Sequence, residues 1–318
     1  MSLSSAPFHA DLSEGPVDAR AWWLRAEDGL RLRVAHYPTD AEARGTVLMC
    51  PGRTEYVEKY GRFADDMATE GYHTLTIDWR GQGMAERMLG DPRTGHVHVF
   101  EDYQKDMRAM IRAAEALSLP RPWHLVAHSM GGCIALRAVI EDIPVQSVTF
   151  TGPMWGIRIS SAVRPAAWAL GWSSKRIGLG HILAPGTGPE SYVATGPFED
   201  NTLTTDPDYW DYMRRQVMAQ PELQLGGPSM HWLHEALAEC WALARLPSPD
   251  LPCLTLLGEN ERIVDVPRIH DRMAQWPEGR LVVLERGEHE VLMERADLRA
   301  RCHSEMLTHF ARATGTSG

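Results

Sequence analysis

The first chemical signal in the chain is a serine set between small residues. The apolar run Trp123–Ala127 leads into His128-Ser129-Met130-Gly131-Gly132, and a helical pattern follows over Gly131–Ile140. A serine on a sharp strand-to-helix turn needs small neighbours, because its backbone is strained and the next helix packs close. The start of that helix also sets N–H groups and the positive end of the helix dipole beside the hydroxyl. Ser129 is therefore the candidate nucleophile; the plainer alternative is a serine that only caps the helix. An earlier apolar run, Gly45–Cys50, ends in Pro51-Gly52-Arg53, where the glycine lets backbone approach such a nucleophile. The N–H groups of Arg53 and Met130 would then form a two-donor oxyanion hole.

A nucleophilic serine needs a base, and the base needs an acid to orient it. His289 lies in the loop Glu285-Arg286-Gly287-Glu288-His289, just past the last apolar run, Leu281–Leu284. From there a base can reach the ends of neighbouring strands. The run Cys253–Leu257 is followed by three candidate acids, Glu259, Glu261 and Asp265. Together these residue types describe acyl transfer through a serine ester, with no cofactor.

Short apolar runs alternating with helical patterns are expected to position these groups. Further strands are expected at Leu30–Tyr37, Tyr72–Ile77 and Val145–Thr151. Helices are expected over Val57–Glu70 and Phe100–Leu119, and over about 266–276 and 294–312. Apolar strands alternating with helices predict an α/β class with a parallel sheet covered on both faces. The alternation stops between Pro153 and about Leu246. That stretch holds Trp155, Trp168, Trp172, Trp210, Trp232 and Trp241, with N-cap signals at Asp206-Pro207 and Ser229. It is too long for an ordinary loop. The expected organisation is a core of residues 1–152 and 247–318, with a helical cap at 153–246.

Composition narrows the partners. The 318 residues carry 32 Lys and Arg against 42 Asp and Glu, a net charge of -10, which argues against nucleic acid. The five dispersed cysteines read as reduced thiols in the cytoplasm. No run approaches the ~20 apolar residues of a membrane span, and Ala166–Leu170 is far too short. His231 and His234 have the spacing of a metal pair but no third ligand, so no metal is expected.

The motif set resembles the α/β-hydrolase superfamily, in its branch of bacterial lysophospholipases and monoacylglycerol lipases. The residues that carry the likeness are Pro51–Tyr60, Asp78-Trp79-Arg80-Gly81-Gln82-Gly83, His128–Gly132, Glu261–Asp265 and Gly287–Leu292. In the insertion, Thr205-Asp206-Pro207 and Gly226–Trp232 are similar to the lid of bacterial lysophospholipases. The resemblance implies an α/β-hydrolase fold with a helical cap, and the nucleophile–acid–base order Ser129, Glu261, His289. It implies Arg53 and Met130 as oxyanion donors and Trp232 as a wall of the acyl pocket. Asp78 to Gly83 becomes a structural signature, with the glycines shaping a turn and Asp78 and Arg80 bonding neighbouring loops.

Three positions depart from the family pattern. Pro51 stands for a His, Ala127 for a Gly, and Glu261 for the usual Asp, which leaves Asp265 as the competing acid. The implied activity is hydrolysis of a carboxylic ester in a lysophospholipid or monoacylglycerol. The alternatives are a proline-type aminopeptidase or amidase on the same fold, using Glu190, Glu199, Asp200 or Glu235 to bind an amine, and a non-catalytic binding protein. A lipid-like substrate lives at membrane surfaces, so the cap of a cytoplasmic enzyme is expected to touch them transiently.

Overall fold

The computed structural model describes residues 3–159, 173–174 and 176–315. Trp168, Trp172 and the run Ala166–Leu170 lie outside the described residues. Nine strands form a single sheet: β1 (Ser4–Ala6), β2 (Arg20–Arg25), β3 (Arg31–Tyr37), β4 (Gly45–Cys50), β5 (Tyr72–Asp78), β6 (Trp123–His128), β7 (Ser147–Thr151), β8 (Cys253–Gly258) and β9 (Arg280–Leu284). Their order across the sheet is β1-β2-β3-β5-β4-β6-β7-β8-β9. The pairs from β5 through β9 are parallel, whereas β1, β2 and β3 add to the edge in antiparallel fashion.

The central strands read as unbroken apolar runs because both of their faces are covered. All six residues of β4, β6 and β8 are buried. Leu48, Leu125, Ala127 and Phe150 share one core with Met107 and Met110 of helix Tyr103–Ala116 and Ile134 of helix Met130–Ile140. Val47, Met49, Val126 and Leu254 point to the other face. There they meet Phe63 and Met67 of helix Gly61–Thr69, and Met306 and Phe310 of helix Ala296–Thr314. β1 and β2 were not expected from the sequence. β1 is three residues of small side chains, and β2, Arg-Ala-Trp-Trp-Leu-Arg, is short, half-buried and without alternation.

Between β7 and β8 the described residues form helices and loops only, and none of them joins the sheet. Asp206 caps helix Pro207–Ala219 by accepting from Asp208 N (2.9 Å), with Pro207 at its first position. Ser229 caps helix Met230–Leu243 by accepting from Trp232 N (3.0 Å). The buried residues of that helix are His231, Trp232, Ala236, Leu237, Glu239, Cys240 and Leu243, and Trp241 is 53% exposed beneath the guanidinium of Arg245. The helix packs on helix Met130–Ile140, where Arg137 Nη2 donates to Glu239 Oε2 (2.6 Å).

The signature Asp78–Gly83 is a brace at the carboxyl end of β5. Asp78 accepts from Arg33 Nε (2.7 Å), Val57 N (2.8 Å) and Met84 N (2.8 Å). Arg80 Nη2 donates to Asp106 (2.7 Å) and its Nη1 to Asp28 (2.9 Å). Gly81 and Gly83 both sit at positive φ, 80° and 55°. Trp79 Nε1 donates to Pro51 O (2.9 Å), while Gln82 Nε2 donates to Gly52 O (2.8 Å) and Glu55 O (2.9 Å). The motif thus holds the loop that follows β4. Asp78→Ala leaves the buried Arg33 without one of its carboxylates, and about 3–5 kcal/mol of stability is expected to be lost, measured by urea unfolding.

Candidate active site

The parallel strands bring their carboxyl ends to one rim, and Arg53, Ser129, Met130, Glu261 and His289 all follow strand ends there, whereas Trp232 reaches the site from helix Met230–Leu243. This is where ligands bind in open α/β sheets. β6 ends and Ser129 follows at φ 49°, ψ -115°, a conformation that costs a non-glycine residue about 1–3 kcal/mol. Three backbone bonds hold it: Ser129 N donates to Thr151 O (3.0 Å), and Ser129 O accepts from Gly132 N (2.9 Å) and Met154 N (2.8 Å). A Cβ on Gly131 would lie 2.2 Å from Cys50 O, so only glycine lets this helix start against the end of β4. The Ser129 hydroxyl makes no capping bond to its helix, which removes the plain capping role.

Two of the candidate residues, Glu261 and His289, are joined directly. His289 Nδ1 donates to Glu261 Oε2 at 2.6 Å, with both side chains almost fully buried. The other carboxylate oxygen, Oε1, accepts from Ile263 N (2.6 Å) and Val264 N (3.1 Å). This turn folds the loop around the glutamate and accommodates the methylene that an aspartate would lack. The other two candidate acids lie elsewhere. Glu259 accepts from Arg286 N (2.9 Å), and Asp265 pairs with Arg268 (3.7 Å).

Burial alone would raise the Glu261 pKa. The neighbouring His289 and the two N–H donors outweigh it and hold the carboxyl below its usual value of 4.5. The acid therefore stays ionised at neutral pH and fixes the imidazole with its proton on Nδ1. Gly152, at φ 48°, completes the packing: a Cβ there would lie 3.0 Å from His289 Nδ1 and 3.2 Å from Glu261 Oε2.

Ser129 and His289 line a cavity of about 690 Å³. Arg53 also lines it, and Met130 opens the helix directly after Ser129. Among the described residues, neither the Arg53 nor the Met130 N–H donates to a protein acceptor. The walls are mostly apolar and include Met154, Ile157, Met213, Val217, Met230 and Leu233. Trp232 closes one side, with its Nε1 donating to Tyr103 Oη (3.1 Å).

A polar cluster escaped the sequence reading. Lys59 Nζ donates to Glu55 and to Glu290 (2.6 Å), and His128 Nε2 lies 3.3 Å from Glu290. Its only sequence signals are the Glu55–Lys59 spacing and the place of Glu290 beside His289. Ligand atoms of Glu55, His128 and Glu290 lie within 4.8 Å of one another, a spacing that could suit a metal. The Lys59 ammonium already bonds both carboxylates, so the cluster carries its own cation. Burial works against charge on Glu290, but His128 and Lys59 outweigh it and hold its pKa well below the usual range. His231, the other metal candidate, bonds His98 O through Nε2 (2.6 Å).

A family model described as serine aminopeptidase, S33, matches residues 41–296. The chain belongs to this family. It is 32% identical to lysophospholipase L2 of Escherichia coli (strain K12) over 302 residues, covering 91% of this chain and 85% of that one. It is 28% identical to probable lysophospholipase L2 of Haemophilus influenzae over 291 residues, covering 91% and 90%. Among solved structures, a soluble variant of monoglyceride lipase from Saccharomyces cerevisiae, in complex with a substrate analog, aligns with a TM-score of 0.71. That alignment has 19% identity and covers 92% of this chain and 94% of that one. The fold is that of the α/β-hydrolases, and the departures at Pro51 and Ala127 sit easily in it. Pro51 contributes only its carbonyl to Trp79, and Ala127 is fully buried between β4 and β7.

The lowered pKa of Glu261 has a stability consequence. Its contribution is complete above pH 4.5 and is lost as pH falls through the lowered folded-state value. The stability deficit of Glu261→Gln in urea unfolding should therefore be largest at neutral pH and shrink as the pH drops below 4.5. A second outcome concerns Gly152→Ala, whose methyl group meets the His289–Glu261 pair at a strained φ. Turnover should fall at least about tenfold while the far-ultraviolet circular dichroism stays native.

Proposed function

We propose that Ser129, His289 and Glu261 form a catalytic triad that cleaves the ester of a single-chain lipid, a lysophospholipid or a monoacylglycerol. The chain is a carboxylic ester hydrolase of the serine type. One observation carries the residue assignment: Ser129, with its uncapped hydroxyl, and His289, which is bonded to Glu261, share the wall of one largely apolar cavity. The names of the relatives, lysophospholipase and monoglyceride lipase, support an acyl ester as substrate.

In this reading His289 takes the Ser129 proton as Oγ attacks the acyl carbon. The charge that develops on the carbonyl oxygen is received by the N–H groups of Arg53 and Met130. Each donor of this kind contributes about 2.7–4 kcal/mol to the transition state. His289 then returns the proton to the glycerol-type alcohol as it leaves. Water attacks the acyl-enzyme along the same path and releases a fatty acid. Glu261 keeps the imidazole oriented and offsets the positive charge it gains. The methionines of the cavity hold the acyl chain, and Trp232 closes the cavity beside Arg53.

An aminopeptidase would need a carboxylate in the cavity to bind an amine. None of Glu190, Glu199, Asp200 and Glu235 lines it; Asp200 is bound outside by Arg262 (2.7 Å). The lining carboxylates Glu55 and Glu290 are occupied by Lys59 and His128. The helical region 153–246 acts in this reading as a cap that touches lipid surfaces. Ile177 is 67% exposed, and Leu179 and Ile182 are exposed on the same loop that supplies Ala184 and Pro185 to the cavity. No helix among the described residues is long and apolar enough to cross a membrane.

Ser129→Ala is expected to remain folded, to lose labelling by a fluorophosphonate probe, and to lose hydrolysis of 1-acyl lysophosphatidylcholine and of a monoacylglycerol. Labelling or turnover at the wild-type level would overturn the nucleophile. Glu261→Gln should lower kcat by about 10⁴, as the wrong tautomer does in such triads, and Asp265→Asn by less than tenfold. The reverse order would move the acid to Asp265. Aminoacyl anilides are expected to be hydrolysed far more slowly than either lipid.

A further inference from the structure

The guanidinium of Arg53 is charged, half-buried and unused by the ester chemistry above. Most buried cations of this protein have carboxylate partners: Arg33 with Glu58 and Asp78, Arg80 with Asp106, and Lys59 with Glu55 and Glu290. Arg53 has none among the described residues. Its Nη2 donates to the carbonyl of Gly226, its Cζ lies 5.3 Å from the centre of the Trp232 ring, and its Nε is buried with no hydrogen-bond partner. Burial lowers its pKa to about 10, which still leaves it protonated at neutral pH. A partly desolvated cation with no carboxylate partner favours an anion placed in the cavity beside it. In a chain of net charge -10, a carboxylate partner would have been easy to supply.

The position of this cation in the cavity wall narrows the anion. The backbone N–H of Arg53 is the proposed oxyanion donor, so its side chain starts where the substrate carbonyl sits. An arginine spans as many bonds from its backbone nitrogen to Cζ as separate the acyl carbon of a 1-acyl lysophospholipid from its phosphorus. With the ester at Ser129, the phosphate is then within reach of the guanidinium. A monoacylglycerol places only a hydroxyl there, which offers the guanidinium no charged acceptor. Guanidinium is also the side chain best matched to phosphate oxygens.

We propose that Arg53 is a head-group receptor that binds the phosphodiester of a lysophospholipid and selects it over a monoacylglycerol of equal chain length. The inference rests on the ester-hydrolase reading of the same site. Trp232 and Gly226 hold the guanidinium from the cap side, so the receptor is built jointly by the loop after β4 and the cap.

The test compares two non-hydrolysable competitors that differ only in the head group, 1-O-dodecyl-glycero-3-phosphocholine and 1-O-dodecylglycerol, below their micellar concentrations. In the wild-type protein the phosphate-bearing competitor should inhibit at least about tenfold more strongly. In Arg53→Gln that preference should vanish, and the kcat/KM ratio for lysophosphatidylcholine over monoacylglycerol should fall by a similar factor. Arg53→Lys, which keeps the charge, should retain part of the ratio. Equal inhibition by the two competitors in the wild type overturns the proposal, even if the variants fail to fold. An unchanged ratio in Arg53→Gln overturns it as well, because a purely structural arginine would lower both activities together. If the wild type hydrolyses neither lipid, the ester-lipid reading has failed rather than the receptor.

Discussion

The left-handed backbone at Ser129 is the constraint on which the rest of the site depends. It turns the chain out of the central strand β6 and straight into a helix, which leaves the hydroxyl on the rim of the sheet. No local preference favours that conformation in a serine. It is held because Thr151 on β7 takes its N–H, because Gly132 and Met154 bond its carbonyl, and because Gly131 lets the helix start against the carbonyl of Cys50. Each of these partners exists only once β4, β6 and β7 are in parallel register. The placement of the Ser129 hydroxyl is therefore a product of the sheet.

Charge is handled in the same collective way. Three buried networks, around Arg33, Arg80 and Lys59, tie the loops after β4, β5 and β9 to one another. Through Gln82 and Trp79 they also fix the loop that carries the Arg53 N–H. A rim assembled from separate loops would otherwise be mobile, and acyl transfer requires donors already aimed at the developing oxyanion. Most of the buried ions serve that rigidity, whereas Arg53, in the cavity wall, has no carboxylate partner among the described residues.

The region between β7 and β8 supplies much of the apolar wall of the cavity. Helix Met230–Leu243 shows how far a periodic pattern carries. Its N-cap at Ser229 and its helical spacing follow the sequence, and Leu237 and Cys240 of that spacing are buried while Trp241 is not. A helix with apolar residues around most of its surface has no single preferred face. Packing against helix Met130–Ile140 and the Arg137–Glu239 pair chose the side of Trp232 and Cys240 and left Trp241 in solvent.

The residue order alone determined the alternation of strands and helices, and with it a parallel sheet whose carboxyl ends carry Ser129, the acid loop and His289. Those signals are local: continuous apolar runs, a small-residue turn and a glycine before the histidine loop. The short edge strands β1 and β2 left no such pattern, since exposed edges need little apolar periodicity. Which of Glu259, Glu261 and Asp265 meets His289 was decided only in three dimensions, by the turn that brings the N–H groups of Ile263 and Val264 onto Glu261. The Glu55–Lys59–His128–Glu290 cluster and the orphaned guanidinium of Arg53 are likewise tertiary facts. They depend on which charges meet across loops far apart in the chain, and no spacing in a linear sequence records that.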